Sequence, residues 1–182
     1  MTPTQVPSFI LCFPIILVLL FGCSVSKEMS TEFIPVVKSF DIQRYLGTWY
    51  EVARLPHSFE NGLEKVTATY SIRDDGKIAV LNKGFNTAKG EWKDALGKAR
   101  MKENGAGALL EVSFFWIFYA DYKVIELDTV NYSYAMVTSS SKDYFWILSR
   151  TPHLDDSIYD RLIQKASGWG FNISKIYKVR QE

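Results

Sequence analysis

Apolar and polar residues alternate with a period of two along most of the chain, the pattern of strands that bury one face. Turn residues separate the alternating runs, and Asp74-Asp75-Gly76 is typical of a tight hairpin. The predicted strands are 47–55, 65–72, 77–83, 91–101, 108–113, 122–128, 134–138 and 144–149. Eight consecutive strands with short links predict an all-β fold, either an up-and-down antiparallel barrel or a sandwich.

One α-helix is predicted near the C-terminus, after Thr151-Pro152 ends the eighth strand. Asp155 or Asp156 can cap it, because a carboxylate suits the positive N-terminus of a helix. The helix has an apolar stripe at Ile158, Leu162 and Ala166. This spacing predicts a helix that packs one face on the sheet, followed by a final short strand at 176–179.

The N-terminus has the features of a targeting segment. Residues 9–21 are an uninterrupted run of 13 apolar residues, the length of a signal-peptide hydrophobic region. Gly22-Cys23 at its end resembles the processing site of bacterial lipoproteins, whose cysteine becomes acylated. This predicts a signal peptide at 1–22, a lipid anchor on Cys23, a flexible tether at 23–32 and a barrel domain at 33–182. The first 22 residues contain no Lys or Arg, and an uncleaved hydrophobic anchor or an ordinary signal peptide is the alternative.

Composition and charge argue against several functions. The 182 residues carry 21 Lys+Arg against 20 Asp+Glu, so no basic field is available for nucleic acid. An aromatic content of 15% favours strands and apolar cavities. The two cysteines, Cys12 and Cys23, belong to the targeting segment and its processing site, which argues against thiol catalysis, a disulfide framework and a zinc site. We predict no catalytic residue, no metal and no cofactor.

Three segments carry a resemblance to a known family. FDIQRYLGTWYE at 40–51, DTVNY at 128–132 and DYFWILSRTP at 143–152 are similar, in order and spacing, to the three signatures of lipocalins. EKVTATY at 64–70 and Ser113-Phe114-Phe115 resemble the bacterial outer-membrane branch, close to apolipoprotein D. The resemblance covers about residues 36–179. It implies a closed eight-stranded barrel with one C-terminal α-helix on its wall.

Three residues of these signatures are predicted to be structural. Gly47 allows a tight turn into the first strand, where a Cβ would cost energy. Trp49 is expected to plug the closed end of the barrel. Arg150 is expected to stack on Trp49 in a cation–π contact of about 0.5–2 kcal/mol.

A closed barrel of eight strands is wide enough for one small ligand, and alternation decides which side chains face it. On the eighth strand, Trp146 and Leu148 share the parity of Arg150 and are placed inside, so Phe145 and Ile147 face outward under the helix. The predicted ligand-binding residues are Val66, Ala68, Tyr70, Val80, Asn82, Tyr119 and Trp146, with Tyr119 at the mouth. Such a wall suits an acyl chain with a polar head near the mouth. The resemblance implies fatty acids or lysophospholipids, stored or carried at the outer membrane on its periplasmic side.

The link at residues 113–119 has five aromatic side chains in seven positions. It is either a buried loop or strand end, or an exposed aromatic rim that contacts a membrane or a partner, including a second copy of the chain.

Two other functions stay open. One is an enzyme acting on a lipid-like or isoprenoid substrate, for which Glu51 and Tyr50 are the only candidates. The other is a structural envelope protein whose pocket is filled by side chains. His57, His153, Glu60 and Glu64 are expected to be solvated rather than catalytic.

Overall fold

The computed structural model describes residues 29–102, 107–115 and 117–182. The strands are β1 (Gly47–Arg54), β2 (Leu63–Ile72), β3 (Ile78–Asn86), β4 (Glu91–Met101), β5 (Leu109–Phe115), β6 (Phe118–Leu127), β7 (Tyr134–Thr138), β8 (Phe145–Ser149) and β9 (Tyr177–Lys178). They form one sheet in the order β2-β3-β4-β5-β6-β7-β8-β1-β9. A further antiparallel pairing of β1 with β2 closes β1–β8 into a barrel. The predicted barrel is confirmed over the sandwich.

The helices are α1 (Ile42–Tyr45) and α2 (Asp156–Gly168), with short 3-10 helices at Ser58–Glu60 and Ile173–Lys175. The Asp155 carboxylate accepts hydrogen bonds from the amides of Ser157 and Ile158, which confirms it as the cap of α2. No helix among the described residues is long and apolar enough to span a bilayer. The predicted signal peptide and Cys23 lie outside the described residues.

The strand predictions differ from the structure mainly at their ends. β2 begins at Leu63, β3 continues to Asn86, and β5 and β6 take in most of the link at 113–119. The link is therefore a hairpin rather than a loop. The four-residue helix α1 has no predicted counterpart, because it is too short to produce a periodic pattern.

Two apolar cores lie on opposite faces of the sheet. The interior core fills the barrel and includes Trp49, Val124 and Leu148, with Trp146 packed against it. The helix-side core lies between α2 and the outer wall and includes Phe145 and Ile147. The alternation predicted for β8 is confirmed.

The barrel has a closed and an open end. Consecutive strands alternate in direction, so the β1–β2, β3–β4, β5–β6 and β7–β8 connections lie together at one end, the open end. Gly47 begins β1 and Ser149 ends β8 at the other, closed end.

The segment 29–37, here the N-terminal strap, runs between these ends. At the open end the Thr31 amide donates to Ser140 O, and Ser30 bridges Ser141. Farther along, Val37 N donates to Val124 O. Thr31 is fully buried, so the predicted tether is wrong from residue 29 onward: there the chain is docked on the barrel because its backbone groups bond to the β7–β8 turn. Within the described part of the chain, the nine strands and both cores lie in the span 29–182, so we expect this span to fold as one unit.

Candidate ligand site inside the barrel

Trp49 plugs the closed end and is fully buried. Arg150 Cζ lies 3.9 Å from the centroid of its ring. The guanidinium also donates to three backbone oxygens: Nη1 to Thr48 at 3.0 Å, Nη2 to Arg44 at 2.7 Å and Nε to Tyr132 at 3.3 Å. One side chain therefore joins β1, α1 and the β6–β7 loop over the plug. The structural roles predicted for Trp49 and Arg150 agree with these contacts.

Gly47 leads into the plug with φ +92°, a conformation that L side chains rarely adopt. A Cβ at this position would lie 3.3 Å from Arg150 Nη1. Glycine at this position thus permits both the backbone conformation of the turn and the close approach of the Arg150 guanidinium.

The β6–β7 loop is organised by Asp128. Its carboxylate accepts hydrogen bonds from the amides of Val130, Asn131 and Ser133, and from the Ser133 hydroxyl. Burial alone would raise the pKa of Asp128, but these donors outweigh it and the pKa is lowered. The loop presents Tyr132, whose ring lies 4.2 Å from Arg44 Cζ.

Three tyrosines, here the tyrosine cluster, lie inside the barrel beside the plug. The hydroxyl of Tyr122 is 2.8 Å from that of Tyr45 and 2.8 Å from that of Tyr70. The ring of Tyr45 also packs on Trp49, with centroids 4.7 Å apart. Burial raises the pKa of all three hydroxyls, so they stay neutral. The cluster gives the interior a polar but uncharged base.

Six of the seven predicted ligand residues face the interior. β2 and β3 bring Ala68 opposite Asn82 and Tyr70 opposite Val80. Val66 shares the parity of Ala68, and Trp146 enters from β8. Whether these side chains bind a ligand stays a prediction.

Several inward-facing side chains keep accessible surface although the barrel surrounds them. They are Ala68, Asn82, Val112, Phe114, Tyr122 and Trp146. The Asn82 Oδ1 atom is buried and has no hydrogen-bond partner among the residues that the structure describes. These features indicate a space lined by apolar and aromatic groups with one free acceptor. Tyr122, Val112 and Phe114 were not among the predicted lining residues. The alternation that places Tyr122 and Val124 on one face of β6 could have identified Tyr122.

Tyr119 is a correction. Tyr122 points inward, so Tyr119, three residues away on the unbroken strand β6, points outward. Its ring lies against Arg100 Cζ at 4.5 Å and Lys98 Nζ at 5.6 Å, on the outer wall. The predicted position inside the mouth is wrong, because the link before it forms a hairpin and sets the opposite parity.

A buried polar cluster, here the mouth cluster, lies inside the open end. A register shift between Glu51 and Ala53 places Glu51 opposite Leu148 and Arg54 opposite Trp146, so both charged side chains turn inward. Arg54 Nη1 is 2.6 Å from Glu51 Oε1. Trp146 Nε1 donates to Glu60 Oε2 at 3.1 Å. Burial, and then repulsion from Glu60, raises the pKa of Glu51 well above its ordinary value, although Arg54 opposes the shift.

The expectation that Glu60, Glu64 and His57 are solvated is wrong. Glu60 and Glu64 are buried, and the side chain of His57 is only 6% exposed. The 3-10 helix Ser58–Glu60 folds the β1–β2 loop into the mouth, where the His57 ring stacks on Phe59 at 3.8 Å. His153, by contrast, is exposed as predicted.

Glu51 and Tyr50, the candidates for an enzyme, lie on opposite faces of β1. Glu51 points inward, whereas Tyr50 lines a groove of about 350 Å³ on the outer wall together with Lys65, Thr67, Lys83, Trp92 and Gln181. Within the part of the chain that the structure describes, no group of three or more His, Cys, Asp or Glu side chains is placed to hold a metal ion.

The tip of the link is exposed. Phe115, Ile117 and Phe118 are 80%, 72% and 76% accessible. The exposure of these three residues excludes the buried-loop alternative for them and agrees with an exposed rim, whose contact with a membrane or a partner stays a prediction.

Comparison with known proteins assigns the barrel to a family. A family model described as a lipocalin-like domain matches residues 40–181. The chain belongs to the lipocalin family. Among solved structures, this lipocalin superposes on insecticyanin from the tobacco hornworm Manduca sexta with a TM-score of 0.67 at 21% identity, covering 80% of this chain and 83% of that one.

Curated relatives at higher identity include bacterial lipoproteins. Outer membrane lipoprotein Blc of Vibrio cholerae is 47% identical over 165 residues, covering 91% of this chain and 94% of that protein. Outer membrane lipoprotein Blc of Escherichia coli K12 is 50% identical over 148 residues, covering 81% of this lipocalin and 83% of the relative. Apolipoprotein D of Macaca fascicularis is 34% identical, with 90% of both chains covered.

Proposed function

We propose that this lipocalin is a membrane-anchored lipid-binding protein, which binds, stores or transports fatty acids or lysophospholipids in the cell envelope. The observation that carries the proposal is the accessible inner wall beside Ala68, Asn82 and Trp146. An acyl chain fits such a wall, and its polar head would lie toward the open end.

The strength of binding follows from the apolar area that the wall offers. Burying ten methylenes would release roughly 8 kcal/mol gross, at about 0.8 kcal/mol each. The loss of translational and rotational freedom on binding offsets several kcal/mol of this gain. Micromolar affinity with loose selectivity for chain length is the expected outcome.

The location rests on the N-terminus and on the relatives. The Vibrio and Escherichia relatives are outer membrane lipoproteins by name. Together with Gly22-Cys23 at the end of an apolar run, this supports an outer-membrane location for this chain, with acylated Cys23 as the anchor and the barrel on the periplasmic side.

Binding is favoured over catalysis by the arrangement of polar groups. Glu51 and Tyr50 are separated by the sheet, and Glu51 and Glu60 are engaged by Arg54 and Trp146. The mouth cluster is thus accounted for by the packing of the β1–β2 loop.

The test is a titration of residues 29–182 with a fluorescent fatty acid and a fluorescent lysophospholipid. Ala68→Trp places an indole inside the barrel and is expected to weaken binding at least about tenfold, a loss of about 1.4 kcal/mol or more. Ala79→Trp is the matched control, because Ala79 lies on the outer wall of β3, next to inward-facing Val80. It should change the affinity less than about twofold.

Near-ultraviolet circular dichroism establishes that both variants are folded. Unsaturable binding by the native chain would overturn the proposal. Equal affinities of the two tryptophan variants would do the same, since the ligand would then lie outside the barrel.

A further inference from the structure

The tip of the β5–β6 hairpin presents an apolar surface to solvent. Phe115 and Phe118 are paired across the hairpin, and Ile117 lies in its turn. All three are more than two-thirds exposed, and Phe59 of the β1–β2 loop is exposed at the same end of the barrel. Contiguous apolar groups of this kind mark a contact with a membrane or a partner.

The chain reaches the barrel at this same end. Lys142 N in the β7–β8 turn donates to Met29 O, so the described chain begins beside the open end. Cys23 precedes Met29 by six residues, and six extended residues span about 20 Å. The apolar run 9–21 lies just before it. Either an acylated Cys23 or an uncleaved apolar run would hold the open end near the bilayer.

The side chains behind the tip suit the level of lipid headgroups. Tyr119 follows Phe118 on the outer wall, with Lys98 and Arg100 over its ring. Tyrosine is enriched at the membrane–water interface, and long cationic side chains extend from apolar surroundings toward the polar layer.

We propose that the β5–β6 hairpin inserts Phe115, Ile117 and Phe118 into a lipid bilayer and thereby turns the open mouth of the barrel toward the membrane. A ligand then passes between bilayer and interior without crossing water. Two phenylalanine side chains of about 150–250 Å² each, together with the smaller Ile117, fall short of the roughly 800 Å² per partner of a stable protein interface. The occupant is therefore a lipid surface rather than a second copy.

Depth measurement tests the geometry directly. The span 29–182 contains no cysteine, so one nitroxide can be attached at Ile117→Cys or, as the control, at Val130→Cys. Val130 is also exposed but lies in the β6–β7 loop at the closed end. With vesicles of phosphatidylethanolamine and phosphatidylglycerol, the label at 117 should become shielded from an aqueous relaxing agent while the label at 130 stays accessible. Equal accessibility of the two labels overturns the proposal.

Partitioning into the same vesicles tests the energetics. Phe115→Ser with Ile117→Ser is expected to lower the partition coefficient at least about tenfold, because each side chain loses its transfer into an apolar phase. The control pair is Ile72→Ser with Val130→Ser, two exposed apolar residues at the closed end. Equal losses for both pairs overturn the proposal, as does a rim-dependent doubling of mass in solution without vesicle binding, which would assign the rim to a dimer.

Membrane insertion of the hairpin can be tested separately from lipid binding inside the barrel. The Phe115→Ser/Ile117→Ser variant should keep its affinity for a soluble fluorescent lysophospholipid within about twofold, since these residues lie at the hairpin tip and not on the inner wall. A variant that no longer binds vesicles but still binds the lysophospholipid supports the membrane-facing mouth. If the native chain does not bind the lysophospholipid, only the function proposed for the interior is contradicted.

Discussion

The guanidinium of Arg150 covers the indole of Trp49, with Cζ 3.9 Å from the ring centroid, and it bonds three backbone oxygens around the plug. These contacts join the beginning of β1 to the end of β8, where the barrel closes. One side chain therefore links these strand ends across the plug, in addition to the strand pairing.

Arg150→Ala is expected to destabilise the protein by roughly 2–4 kcal/mol, because it removes the cation–π contact and leaves three carbonyls without their donor. Urea denaturation measures the change. Arg73→Ala is the control, since Arg73 pairs with Asp75 at the surface and should change stability by less than about 1 kcal/mol. A similar small effect for both variants would contradict the role of Arg150.

Gly47→Ala is expected to cost roughly 1–3 kcal/mol, since alanine is strained at φ +92° and its Cβ would crowd Arg150 Nη1. Gly168→Ala is a matched comparison: a Cβ there, at the end of α2, meets no atom of the described residues within 4 Å. It should be neutral or stabilise the helix by up to about 1 kcal/mol. Equal thermal shifts for the two variants would remove the conformational argument for Gly47.

Most of the fold could be predicted from the sequence because each strand buries one face. Alternation located all eight barrel strands, and Asp155 marked the start of α2 because its carboxylate satisfies free amides. Gly47, Trp49 and Arg150 were identified through the resemblance and through their chemistry. Six of the predicted lining residues face inward because β2, β3 and β8 keep their parity there.

The mouth could not be predicted in this way. A bulge between Glu51 and Ala53 turns Arg54 inward, and the 3-10 helix at Ser58–Glu60 buries Glu60 and His57. Neither feature leaves a mark in the hydrophobic pattern, since charged residues next to Pro and Gly are typical of a solvated loop. The prediction for Tyr119 was wrong for a related reason. Which side chains of β6 point inward depends on where the preceding hairpin turns.

The tyrosine cluster makes a prediction for alkaline pH. Burial raises the pKa of Tyr45, Tyr70 and Tyr122 in the folded protein. Between about pH 10 and the higher folded values, the unfolded chain releases these protons while the folded chain keeps them. Their contribution to stability is therefore present below about pH 10 and is lost as the pH rises further.

Tyrosinate absorbance during an alkaline titration checks this expectation. Of the ten tyrosines, at least these three should ionise only together with cooperative unfolding. Tyr122→Phe leaves the other two hydroxyls without their shared partner and should cost about 1–3 kcal/mol at neutral pH. Smooth ionisation of all ten tyrosines before unfolding would show that the cluster is open to water.

The pair Glu51 and Arg54 makes a prediction for the mouth. Arg54→Met alone should destabilise the protein by about 3–5 kcal/mol, because Glu51 is left buried without its counter-ion. Arg54→Met combined with Glu51→Leu should recover at least about half of that loss. Chemical denaturation of the two variants measures the difference. A double variant that is less stable than the single one would mean that the pair contributes more than compensation of buried charge.

The inner wall as a lipid site is tested most directly by a crystal structure of residues 29–182 with a fatty acid brominated along its chain. Anomalous scattering should place the bromine inside the barrel, between Ala68, Asn82 and Trp146. Bromine in the outer groove beside Tyr50 and Trp92, or at no ordered position in a crystal soaked to saturation, would contradict the account.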